Sequence, residues 1–171
     1  MIVAPVDLLA YRMLTPRWSF QPLSGAGAAR EGGRFNRPRT RALYLSLEPE
    51  TAVAEFSQAE PLFSPGVLAC FRIRVEQVAD LREGYNRDWD PLWREWDCEW
   101  KRLWFIEGIE PPTWAMADLL EGAGARGLLF PSVKRPGGTN LVLYPERLTD
   151  GDELQVHDPE GQLPKSQKSW R

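Results

Sequence analysis

The sequence predicts an α+β fold in a single compact domain, and three observations predict it. Several short apolar runs read as strands, and one of them, "VLACFRIRV" at 67–75, sets Phe71, Ile73 and Val75 against Arg72 and Arg74, as a half-buried strand does. The helix-forming stretches are few and lack the regular strand–helix alternation of a doubly wound sheet. The chain has 171 residues, 43% hydrophobic and 26% charged, enough for one globular domain with a real core.

Taken in order, "LLAYRML" at Leu8–Leu14 reads as a first strand carrying Tyr11 and Arg12. Residues 15–41 are rich in Gly, Pro and Arg and read as loops and turns. "ALYLSL" at 42–47 is a short strand. Pro49 then stands where the first turn of a helix tolerates proline, and "ETAVAEFSQ" continues with good helix formers. In projection Ala52, Glu55 and Phe56 lie together, which turns Glu55 inward. After the strand at 67–75, "DWDPLWREWDCEWKRLWFIE" predicts a helix despite Pro91 near its start. "PPTWAMADLLEGAGARG" predicts a further helix that stops at its glycines. "LLFPS" and "NLVLYP" read as two more strands joined by "VKRPGGT". With no repeat and no interior linker, residues 1–147 form the domain, and 148–171 form a polar, loosely attached tail.

Composition narrows the function. A net charge of −3 argues against direct binding of nucleic acid, which needs a basic balance. No apolar run approaches the roughly 20 residues of a membrane span, and "MIVAPVDLLAYRML" lacks the design of a signal peptide. Cys70 and Cys98 have no metal-type spacing, so a reduced, cytoplasmic setting is expected. The single histidine, His157, lies in the polar tail. A Ser–His–Asp triad or a multi-histidine metal site is therefore disfavoured. The chemistry expected is metal-free and runs on Arg, Glu, Ser and Tyr.

Those residues concentrate around "GGRFNRPRTRALYLSLEPETAVAEF", Gly32–Phe56, where two glycines and four arginines precede Glu55. Guanidinium groups meet phosphates with paired hydrogen bonds, and glycine turns let backbone amides come close. Arg12 and Arg34 are placed on the two phosphates of an adenine dinucleotide; an arginine taken alone is more often a solvated surface charge. Cleaving the nicotinamide–ribose bond of NAD develops an oxocarbenium-like sugar, as glycoside cleavage does. Nicotinamide leaves as a neutral group, so no general acid is needed, and a carboxylate such as Glu55 stabilises the cation. The alternative for Glu55 is a helix-surface pair with an arginine. Ser132, at a strand end beside a Gly-rich loop, suits ribose or amide recognition, or simply a turn. Tyr44 either packs on a substrate ring or fills the core. "GAGAAREGG" lies among turns, not between a strand and a helix, so a Rossmann fingerprint is a weak reading of it.

Trp89, Trp93, Trp96, Trp100 and Trp104 follow three- and four-residue steps and would share one face of a helix. That face either packs on the core or binds a partner, since tryptophans favour interface centres. One nucleotide could use only one or two of the rings.

Together the motifs resemble the RES-domain family. The likeness comprises "YR" at Tyr11–Arg12, "GGRFN" at Gly32–Asn36, "LY" at Leu43–Tyr44, "TAVAE" at Thr51–Glu55, "GLLFPSV" at Gly127–Val133 and "NLVLYP" at Asn140–Pro145. It runs in the expected order from about residue 8 to 147. The resemblance implies a mixed β core similar to that of ADP-ribosyltransferases and the role of toxin in a bacterial toxin–antitoxin pair. It also implies consumption of NAD as substrate, with water, phosphate or a host protein as acceptor. The implied site is Arg12, Arg34, Tyr44, Glu55 and Ser132, and the implied partner is a cognate antitoxin. Two departures stand out: the aromatic after the second arginine, commonly Trp in the family, is Phe35, and the middle of the chain is unusually rich in Trp.

Overall fold

The computed structural model describes residues 1–57 and 62–170; Gln58 of the expected helix and Arg171 of the tail lie outside them. The strands are β1 (Val3–Leu14), β2 (Leu43–Ser46), β3 (Val67–Asp80), β4 (Gly127–Pro131), β5 (Thr139–Leu143) and β6 (Glu153–Val156). Helices are α1 (Ala26–Glu31), α2 (Pro49–Ser57), the single turn α3 (Trp100–Arg102) and α4 (Pro112–Gly122). The sheet runs β1-β2-β5-β4-β3-β6, and β3 also pairs with β1. Five strands thus close into a ring, with β6 added on β3. The ladder between β3 and β4 is parallel and the others are antiparallel. The result is an α+β domain with a mixed β core.

Alternation along the strands sends side chains to two separate apolar clusters. Leu43, Leu45, Phe71, Ile73, Leu129, Leu141 and Leu143 pack together on one side of the sheet. Leu128, Phe130, Val142 and Tyr144 pack on the other with Met116 and Leu120 of α4, Trp89 and Trp93. Pro112 opens α4, and after it the chain turns through Gly124, whose φ of +71° lies in the left-handed region, as helix ends favour.

The structure departs from the sequence reading in three places. The five tryptophans do not share a helix. Pro91–Glu95 is a tight 3-10 turn capped by Asp90, whose carboxylate accepts from Leu92 N–H at 2.9 Å. Residues 96–98 form turns, α3 is one turn, and Leu103–Glu107 is a π turn. The backbone is broken where Arg34 docks: Trp100 N–H bonds to the carbonyl of Cys98 and not to that of Trp96 four residues back, as a continuous helix requires, and Arg34 Nη1 donates to the oxygens of Trp96 (3.1 Å) and Cys98 (2.9 Å). The rings are accordingly dispersed. Trp89 and Trp93 are buried side by side, with centroids 4.6 Å apart. Trp104 packs on Trp114 at 4.7 Å.

Secondly, the stretch after residue 147 is not all loose. Leu154 and Val156 alternate with polar neighbours, pack on the apolar cluster and let β6 pair with Phe71–Arg74 of β3. Thirdly, the turn-rich region at 15–41 contains α1, which follows β1 only after the 3-10 turn Pro16–Trp18 and further loop.

Candidate active site

One end of the barrel opens into a cavity of about 580 Å³, a size that suits a small-molecule ligand. Arg12 reaches it from β1, Arg34 from the turn after α1, Tyr44 and Ser46 from β2, Glu55 from α2 and Asn140 from β5. Ala52 and Phe56 line it beside Glu55, so this face of α2 turns inward. Trp100 and Phe105 add aromatic surface, and Lys101 and Lys134 add positive charge.

Arg34 is held by the residue that follows it. Phe35 is fully buried, its ring 4.9 Å from Phe130 and 6.1 Å from Trp93. Its N–H donates to Tyr44 Oη at 2.9 Å, and its carbonyl accepts from Tyr144 Oη at 2.8 Å. Tyr44 Oη in turn donates to Asn36 Oδ1 at 2.8 Å. The phenol is committed to this turn, and burial raises its pKa well above the ordinary value. Tyr44 therefore lines the cavity without offering it a titrating hydroxyl.

The glycines of "GGRFN" serve packing. Gly32 has φ +84°, and a Cβ on Gly33 would stand 2.5 Å from Asn36 Oδ1 and 2.6 Å from Tyr44 Oη. Their N–H groups bond to the carbonyls of Ala28 and Asn36 and so are not offered to a phosphate, contrary to the expectation from sequence. The other arginines of this stretch divide as well. Arg37 leaves the cavity to pair with Glu110 at 2.5 Å and Asp118 at 2.6 Å, which raises its pKa. Arg39 and Arg41 are exposed.

Arg12 and Arg34 are different. Arg12 Nη1 meets only carbonyls, those of Ser24 (3.1 Å) and Pro22 (3.4 Å). Arg34 Nη1 meets those of Trp96 and Cys98. Among the described residues neither forms an ion pair with a carboxylate. Burial pulls the Arg12 guanidinium down to about 10. It lowers Arg34 too, against the opposing pull of Cys98, Glu55, Tyr44 and Asp97. Partly buried cations without a close ion-pair partner are costly, and an anionic ligand would relieve that cost. Lys101 is likewise lowered by burial and then by Lys134.

A RES-domain model matches residues 9–166. The chain belongs to the RES-domain family. The RES domain is 25% identical over 143 residues to Toxin Res of Yersinia enterocolitica serotype O:8 / biotype 1B, covering 81% of this chain and 84% of that protein. Its fold is similar to that in the crystal structure of the M. tuberculosis MbcT–MbcA toxin–antitoxin complex, with a TM-score of 0.61 and 23% identity. That likeness covers 91% of this chain and 84% of that one, and at such identity it is one of fold.

Within the RES domain, Glu55 Oε1 accepts from Ser132 Oγ at 2.7 Å and Asn140 Nδ2 at 2.6 Å. Ser132 Oγ itself accepts from the N–H groups of Lys134 (3.2 Å) and Arg135 (3.0 Å), which leaves its proton for Glu55. Ser132 is buried behind the carboxylate, where it braces both Glu55 and the turn. Asn140, Ser46, Trp100, Phe105, Lys101 and Lys134 were not singled out for the site from sequence. The one signal available was a polar residue at the end of an apolar strand run, "LYLS" and "NLVL". Among the described residues no helix is long and apolar enough to cross a membrane.

Proposed function

We propose that this RES-domain protein is the toxin of a toxin–antitoxin pair and that it consumes NAD. The observation that carries the reading is the pair Arg12 and Arg34, without carboxylate partners among the described residues, sharing a cavity with the braced Glu55. Two guanidinium groups suit a pyrophosphate, and Trp100 and Phe105 suit a heterocyclic ring. Glu55 would face the ribose of the nicotinamide half. The carbon–nitrogen bond breaks with its electron pair going to nicotinamide, which leaves neutral. The cationic sugar carbon is stabilised by the Glu55 carboxylate. Water then adds to that carbon and loses a proton to solvent, giving ADP-ribose; phosphate in place of water gives its 1-phosphate. The toxin role rests on family membership and on the relatives' names, and with it comes a cognate antitoxin as partner.

The test is incubation of the purified protein with NAD in water and in phosphate buffer, following free nicotinamide and the mass of the sugar product. Nicotinamide release with ADP-ribose or its phosphate is the expected result. Labelled protein without free ADP-ribose would move the reading to transfer onto a host protein, for which the exposed Phe105 and Val133 at the cavity offer an apolar rim. An intact NAD pool would leave a silent nucleotide-binding module and overturn the proposal.

A further inference from the structure

We propose that Asn140 is a positioning residue for Glu55 and that Ser46 sets the direction of its amide. The inference rests on Glu55 being the working carboxylate of the proposed reaction. Register places these groups: Ser46 of β2 lies directly opposite Asn140 of β5, and Asn140 directly opposite Phe130 of β4. Asn140 is thus held between two strands of the barrel, with none of the freedom of a loop. Ser46, Ser132 and Asn140 are 3%, 6% and 7% exposed, so bulk water cannot stand in for a missing partner.

The hydrogen bonds have one consistent direction. An amide offers an acceptor at Oδ1 and donors at Nδ2. Ser46 Oγ donates to Oδ1 at 2.8 Å, and Nδ2 donates to Glu55 Oε1 at 2.6 Å. Reversing the amide would set a carbonyl oxygen against the carboxylate. With Ser132 as the second donor, Oε1 is saturated, and Oε2 accepts no hydrogen bond from any described residue. The pair of donors fixes the plane of the carboxylate on the cavity wall, leaving one oxygen for the sugar. This is the arrangement by which supporting residues commonly tune a site, with effects of about 10- to 100-fold.

The experiment compares wild type with Asn140→Leu, Asn140→Asp and Ser46→Ala in nicotinamide release from NAD, each checked for an unchanged thermal midpoint. Asn140→Leu is expected to lower kcat by about 10- to 100-fold with KM within about threefold. Ser46→Ala is expected to lower it less, by about threefold. Asn140→Asp keeps the shape but opposes two carboxylates, which share a proton only when the pH falls. Its activity relative to wild type should therefore rise at least about fivefold between pH 8 and pH 6. A purely structural asparagine would show no such pH dependence. A second readout needs no turnover: the side-chain amide protons of Asn140 should shift in the NMR spectrum on Glu55→Gln and on Ser46→Ala. Wild-type kcat in Asn140→Leu, a pH profile for Asn140→Asp parallel to wild type, or an unmoved amide signal would overturn the proposal. Inactive wild-type protein with the amide shifts present would instead refute the NAD reading and retain the clamp.

Discussion

Replacing Glu55 by Gln is the sharpest perturbation the site allows, because the two side chains have the same shape. Glu55 Oε1 accepts two hydrogen bonds, at 2.6 and 2.7 Å, from Asn140 and Ser132. A Gln carbonyl oxygen placed there keeps both donors, so the amide nitrogen must take the position of Oε2. In the proposed reaction the group facing the sugar would then change from a carboxylate oxygen to a donor with partial positive charge. Loss of one preorganised electrostatic stabiliser costs about 10² to 10³ in kcat, or about 2.7–4 kcal/mol. Reversed polarity puts the expected loss at the upper end, about 10³-fold. Stability should change by less than about 1 kcal/mol, a shift in Tm of at most about 4 °C for a domain of this size. The assay is nicotinamide release at saturating NAD, with Tm measured on the same preparation. A Glu55→Gln variant within about threefold of wild-type kcat would refute the role given to the carboxylate. An inactive variant that has lost its cooperative melt would instead assign Glu55 a structural part.

Arg34→Lys keeps the charge but cannot hold the carbonyls of Trp96 and Cys98 and a phosphate together; KM for NAD should rise about 10-fold or more with kcat less affected, and unchanged steady-state kinetics would place Arg34 off the substrate. Trp100→Leu should raise KM by several-fold while leaving the melt in place, since Trp100 lines the cavity and is only partly buried; an unaltered KM would remove the ring from the binding site. Asp152 accepts from the N–H groups of Thr149 and Glu76 and pairs with Arg126 at 2.7 Å. Burial pushes its carboxyl up, but these donors outweigh it and hold the pKa below the ordinary value. A depressed folded pKa gives stability that is present above the unfolded pKa of about 3.9 and lost as pH falls through the folded value. Asp152→Asn should therefore lower Tm at pH 7 by about 5 °C, from about 2 kcal/mol of charged hydrogen bonding. The difference should shrink as wild type is acidified below the unfolded pKa of about 3.9, and an equal gap at every pH would refute the charge argument.

Local pattern determined much of this protein by itself. Alternation in "VLACFRIRV" marked part of β3, Pro49 marked the start of α2, and the glycines after "MADLLEG" marked the end of α4. Those signals are legible because period and capping depend on neighbours within a few residues. The grouping of Arg12, Arg34, Tyr44 and Glu55 was legible through the order of family motifs, and all four line one cavity. The bracing of Glu55 was not, because Ser132 and Asn140 lie 77 and 85 positions away along the chain. Nor did the tryptophan spacing reveal its own interruption. A three- and four-residue repeat describes a helix only if the backbone bonds run four residues back, and here they do not where Arg34, 62 positions from Trp96, docks on the carbonyls of Trp96 and Cys98. The ring closure of β3 onto β1 and the register of Ser46 against Asn140 likewise belong to the tertiary structure. Strand pairing across distant segments leaves little trace in either strand alone, and it is this pairing that turns a buried asparagine into a support for a carboxylate.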